Sequence, residues 1–93
     1  MKVELTIDFL NELTDQVDFI SQDKPGAAQK FKDDLFKILN DLSIMPLKHK
    51  KSIYFKNELI RDLIFKGYTI TYEIDKVKNQ ILAFSFLKYK EKP

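Results

Sequence analysis

The chain has 93 residues and a mass of 11.0 kDa, with 44% hydrophobic and 32% charged residues and a net charge of +2. That is enough for one domain with one core and too little for two. The mixture excludes a disordered or collagen-like chain, and no apolar run reaches the roughly 18 residues of a membrane helix. The absence of cysteine excludes disulfides, thiolate zinc sites and a cysteine nucleophile. It also fits a reducing, cytoplasmic compartment, and the acids Glu4 and Asp8 near the start speak against a signal peptide.

The charge is unevenly distributed. Residues 1–47 hold five lysines and nine acids, a net −4, whereas residues 48–93 hold eleven basic residues and five acids, a net +6. Such a split predicts an acidic packing half and a basic working half suited to a polyanion or an acidic protein.

In chain order, Val3, Leu5 and Ile7 alternate with polar residues and predict a half-buried strand. Asp8 stands where a helix N-cap belongs, and Leu10, Leu13, Val17 and Ile20 form one helical stripe. Pro25 and Gly26 open a second helix, whose stripe is Ala28, Phe31, Leu35, Ile38 and Leu42, ending at Met45-Pro46. The short connection predicts antiparallel helices. Lys48-His49-Lys50-Lys51 reads as a charged loop, Ser52–Phe55 as a short strand, and Leu59–Phe65 as a longer one. Lys66-Gly67 is a tight turn before the clearest strand, Tyr68 to Ile74. Asp75–Asn79 is a polar turn, and Ile81–Leu87, apolar on both faces, belongs centrally in a sheet. The tail from Lys88 to Pro93 is charged.

With no repeat or linker, the order predicts a single α+β domain over residues 1–93. A two-helix antiparallel hairpin packs on one face of a twisted antiparallel sheet, and the first strand returns beside a later one. The other face of the sheet is left solvated or free to bind.

Among sixteen basic residues, Arg61 is the single arginine. A planar fork of five donors grips phosphate or carboxylate in a way lysine cannot, so Arg61 is a candidate site residue. The alternative is an ion pair with Asp62, Glu73 or Glu58. In the tail, Tyr89 lies among Lys88, Lys90 and Lys92, a pattern that suits stacking and phosphate neutralisation or plain solubility. His49 is the single histidine, and flanking lysines push it toward the neutral form that suits a general base. Asp8, Glu12 and Asp15 fall on a solvated helix face rather than in a metal site. No phosphate loop, nucleophile elbow or metalloprotease helix is present, which removes NTPases, α/β-hydrolases and zinc proteases.

The run Lys24-Pro25-Gly26-Ala27-Ala28-Gln29-Lys30-Phe31, continuing to Leu42 and Met45-Pro46, resembles the helical hairpin of the RelE/ParE toxin superfamily. Ile60-Arg61-Asp62-Leu63 and Tyr68-Thr69-Ile70-Thr71-Tyr72 are similar to its arginine-containing strand and the strand that follows, and Ile81–Leu87 to its last strand. The resemblance spans about residues 3–90 and is closer to the ParE branch. It implies the growth-inhibiting toxin of a type II toxin–antitoxin system, of the kind that stabilises plasmids, with a twisted sheet backed by two helices. ParE-like members inhibit DNA gyrase, whereas RelE-like members cut mRNA on the ribosome. RNA-cleaving members often carry a histidine or arginine near the final strand, where this chain has Phe84-Ser85-Phe86-Leu87-Lys88-Tyr89-Lys90.

Two functions follow as expectations. The first is binding of DNA gyrase through Arg61, Lys50, Lys51, Lys88, Lys90 and Lys92. The second is metal-independent mRNA cleavage on the ribosome, in which Arg61 and Lys88 stabilise the phosphorane-like transition state and Tyr89 or His49 moves protons. Neither needs a cofactor or a membrane. Both imply a cognate antitoxin, acidic where it folds over the sheet and basic tail.

Overall fold

The computed structural model describes residues 1–88. Strand β1 (Lys2–Leu5) leads into helices α1 (Ile7–Asp23) and α2 (Pro25–Ile44), followed by β2 (Lys50–Lys51), β3 (Ile60–Phe65), β4 (Tyr68–Asp75) and β5 (Gln80–Lys88). The sheet order is β1-β5-β4-β3-β2. This is the expected α+β arrangement, with one refinement. β1 joins β5 in parallel, so the sheet is mixed rather than wholly antiparallel. A parallel neighbour cannot be joined by a tight turn, and here the connection runs through the helical hairpin and then β2, β3 and β4.

The chain leaves the first strand earlier than its alternation suggests. Thr6, not Asp8, caps α1, its Oγ1 accepting a hydrogen bond from the Phe9 amide at 3.1 Å. Ile7 is therefore helical and 75% exposed. Phe9 rather than Leu10 heads the buried stripe, with Leu13 behind it. Either residue has the right spacing, and the larger ring takes the interior, edge-on to Phe86 at 5.4 Å. In α2, Leu39 is buried and Ile38 only partly so.

The helices cover one face of the sheet. Phe31 meets Phe65, Tyr68 and Phe86 edge-on, and Tyr68 stacks on Phe86 at 4.6 Å. Residues opposite one another in register share a face. Leu63, Ile70 and Phe86 thus lie on the helix side, and Asp62, Thr71 and Ser85 on the other. The same holds for Ile64, Thr69 and Leu87 on that second, open face. The β3–β4 turn places Lys66 at φ 48° and Gly67 at φ 84°, a two-residue hairpin in which glycine carries the left-handed position without strain. The Lys66 ammonium reaches Asp34 of α2 at 2.6 Å and ties this turn to the helices.

The segment between α2 and β3 departs most from expectation. Lys50 and Lys51, predicted as loop, form the short edge strand, paired with Asp62 and Arg61. Ser52–Phe55, predicted as a strand, is not one. The Ser52 amide extends the ladder once by donating to the Ile60 carbonyl (2.9 Å). The Ser52 hydroxyl then accepts from the Tyr54 amide at 3.3 Å and turns the chain away. Phe55 ends edge-on to Phe84 at 5.7 Å. Phe84 is the extra residue of a bulge, since Thr71 pairs with Ser85 and Tyr72 with Ala83.

Candidate binding site

Arg61 lies opposite Tyr72 in register, and therefore on the helix side at the sheet's edge, not on the open face. Its fork engages two backbone carbonyls. Nε donates to Glu58 O at 2.8 Å and Nη1 to His49 O at 3.0 Å. None of the three expected carboxylates ion-pairs with it; the Glu58 carboxylate instead takes the Lys51 ammonium at 2.8 Å. Two carbonyls twelve and three residues away are bridged by one rigid side chain, a task a single lysine ammonium performs poorly.

Tyr72 completes the clamp. Its hydroxyl, pushed up to about 12 by burial against an opposing pull from Arg61, stays protonated and donates to Pro46 O at 2.6 Å. The segment from Pro46 to Glu58 is thus tacked down at three carbonyls. The His49 ring packs edge-on against Tyr72 at 6.3 Å. Its pKa is lowered, as expected, though chiefly by burial and only secondarily by Lys48.

Pinning this segment shapes a cleft of about 790 Å³ on the open side of the sheet. Ile64 and Thr69 of the sheet face Ile53 and Tyr54 of the loop, and Lys48, Lys50 and Lys51 stand at the rim. Ile53 is 85% exposed, Ile64 56% and Tyr54 46%. Lys51 is paired with Glu58, whereas Lys48 and Lys50 enter no ion pair among the described residues. The one carboxylate in the lining, Asp62, accepts the Thr71 hydroxyl at 2.7 Å. Cations and bare aliphatic surface therefore meet in one place, an arrangement fit for holding a partner.

The structure brings Arg61, His49, Lys50 and Lys51 together, but not Lys88. Lys88 pairs with Tyr68, four residues along β4 from the partner of Arg61, which is about 14 Å at the rise of an extended strand. There it lines a second cleft, of about 200 Å³, with Glu12 and Asp15 of α1. Asp8, Glu12 and Asp15 are exposed, and no group of three potential metal ligands occurs among the described residues. Tyr89, Lys90 and Lys92 lie outside the described residues.

The model for the ParE toxin of type II toxin–antitoxin systems, parDE, matches residues 3–92. The chain belongs to the ParE toxin family. Comparison with curated proteins gave no match. Membership of this family implies an antitoxin partner. No helix in the described residues is long and apolar enough to cross a membrane.

Within this ParE-family chain, the residues the sequence did not single out are Lys48, Ile53, Tyr54 and Ile64, together with Tyr72 as an anchor. A signal for Ile64 was present. In Leu63-Ile64-Phe65 a strand places its middle residue on the face opposite its neighbours, so one aliphatic side chain had to point away from the core.

Proposed function

We propose that this toxin inhibits growth in the cytoplasm by binding DNA gyrase, not by cutting RNA. The observation that carries this reading is the separation of Lys88 from Arg61 and His49, groups that a metal-independent cleavage would use together. The Arg61 fork holds carbonyls, the His49 ring packs on Tyr72, and Lys88 lies on the helix side beside Glu12 and Asp15. Acid–base catalysis needs its groups within hydrogen-bond reach of one reacting centre. A binding inhibitor needs only a firm surface of the right charge. In this reading Lys50, Lys51 and Lys88 meet the target, joined by Lys90 and Lys92 of the tail, and Arg61 orders the segment that presents the first two.

The test is direct. Purified toxin is added to a DNA gyrase supercoiling reaction and, separately, to ribosomes translating a defined message. Inhibited supercoiling with an intact message is expected, and Lys50→Gln and Arg61→Ala are expected to weaken it. Cleavage of the translated message with supercoiling untouched would overturn the proposal in favour of the ribonuclease reading.

A further inference from the structure

The two edges of the sheet are unlike. At one edge β2 is a pair of lysines, and joining it to a second copy would set cation against cation. At the other edge β1 carries one charge of each sign. Lys2 and Glu4 share the open face and pair with one another at 2.9 Å. The ladder to β5 engages Lys2, whose amide donates to Asn79 O at 3.4 Å, and Thr6, whose amide donates to Ala83 O at 3.0 Å. Backbone groups alternate sides along a strand, so the amides and carbonyls of Val3 and Leu5 point away from β5. Among the described residues β1 has no second neighbour.

We infer that this edge seats β1 of a second copy of the chain, antiparallel about a twofold axis through Val3. Val3 of each copy exchanges its amide and carbonyl with Val3 of the other, and Leu5 of each pairs with Met1 of the other. The two sheets become one, with both pairs of helices on the same side. The inference concerns an edge away from the residues assigned to the target and does not depend on which target the toxin has.

The charges select both the partner and the register. Outward-pointing residues must face one another, which leaves three twofold registers for a strand this short. Centring on Lys2 sets lysine opposite lysine, and centring on Glu4 sets glutamate opposite glutamate. Centring on Val3 sets Lys2 of each copy opposite Glu4 of the other, so the two internal ion pairs become a closed square of four alternating charges. Opposite charges across a ladder stabilise it and like charges destabilise it. An isologous contact needs a patch complementary to itself, and β1 supplies one.

Bare aliphatic side chains extend the same symmetry into the helix layer. Ile7 follows Thr6 just beyond the end of β1, and Ile44 follows Ser43, whose carbonyl accepts the Met1 ammonium at 3.0 Å. They are 75% and 77% exposed. Because the pairing sets Met1 opposite Leu5, the Ile44 end of each copy meets the Ile7 end of the other. Covering these side chains adds apolar burial to a contact that the short strand makes small. The cleft beside β2 lies at the far edge of each sheet, so the dimer presents two clefts with their lysines uncovered.

The experiment follows the mass of the purified toxin by sedimentation from about 1 μM to about 500 μM, a span that brackets a small, transient interface. The mass is expected to double across that span, and the Val3 and Leu5 amides to exchange more slowly at the high end. Lys2→Glu and Glu4→Lys, each alone, set like charges opposite one another and should weaken self-association by about tenfold or more. An equimolar mixture of these two variants, or both changes in one chain, should restore it. Val3→Pro removes an outward amide at an edge position that tolerates proline and should abolish pairing.

A toxin that stays monomeric throughout overturns the inference. So does self-association that survives the single charge reversals, or that the mixture fails to restore; both arms hold whether or not Val3→Pro folds. Protection of the Val3 and Leu5 amides by antitoxin, with none in concentrated toxin alone, also overturns it by assigning the edge to another chain. Gyrase inhibition is measured beside these variants, and its failure in the unsubstituted toxin would sink the proposed function while leaving the dimer to stand or fall on its mass.

Discussion

On the helix side of the sheet, Phe31 touches three other rings, and Phe9, Leu35, Ile70 and Tyr72 are fully shielded from water. On the opposite side, near β2, Ile64 and Ile53 stand largely bare, and order comes from hydrogen bonds donated by Arg61 and Tyr72 to backbone carbonyls. The first region is held by packing and the second by polar tacks at its margins. A packed surface is closed to partners. A surface held from its margins is ordered and still open, which is what a binding cleft requires.

The largest test of this contrast is in the core. Phe9→Ala should cost about 3–5 kcal/mol, because a void replaces a ring that collapse cannot refill. Ile64→Thr, on the open face, should stay within about 0.5 kcal/mol. Urea unfolding of both variants measures the difference, and comparable losses would break the contrast.

The polar tacks come next. Arg61→Ala should cost about 1.5–3 kcal/mol, since it strips two charge-assisted bonds from the segment, and Tyr72→Phe about 1 kcal/mol. The expected signature is local. Amides of residues 47–58 should exchange faster with solvent in both variants while those of β4 and β5 do not. Arg61→Lys should recover only part of the protection, because one ammonium does not bridge both carbonyls.

The smallest effects are those of pH. His49 has its pKa lowered from 6.5, first by burial and then by Lys48. Below pH 6.5 the unfolded chain therefore binds more protons than the folded one. Stability should fall as pH drops through that value and level off once the folded-state pKa is passed. His49→Gln should remove this slope. Asp34, hydrogen-bonded to Lys66 and then Lys30, is held down at about 2. Its contribution is complete above pH 3.8 and fades as the pH falls toward about 2. Asp34→Asn should flatten that acid limb. Urea midpoints measured from pH 8 to pH 2 follow both groups.

Much of the architecture was legible along the chain. The alternation of Tyr68, Ile70, Tyr72 and Ile74, the turn at Lys66-Gly67 and the break at Pro25 are local signals, and each produced the expected element. The start of α1 was misplaced by two residues because Thr6 and Asp8 are both good caps. The segment from Lys50 to Phe55 was assigned in reverse, because its pairing depends on Ile60, Asp62 and an arginine clamp remote in sequence. The site was only partly legible. Arg61 stood out by its rarity, but rarity says nothing about which groups its fork meets. The one cationic site expected from charge became two, because strand register sends Lys50 and Lys88 to different faces.

The sequence by itself determined the helices, the longer strands, the charge split and the family, since each is written in neighbouring residues or in their order. Only the tertiary structure decided that the lone arginine holds a loop in place, that His49 has its pKa lowered chiefly by burial, and that Ile53 and Ile64 share one cleft with Lys48 and Lys50. Those facts depend on register and on contacts between distant segments, and the free energies that select among them arise only when the chain has closed on itself.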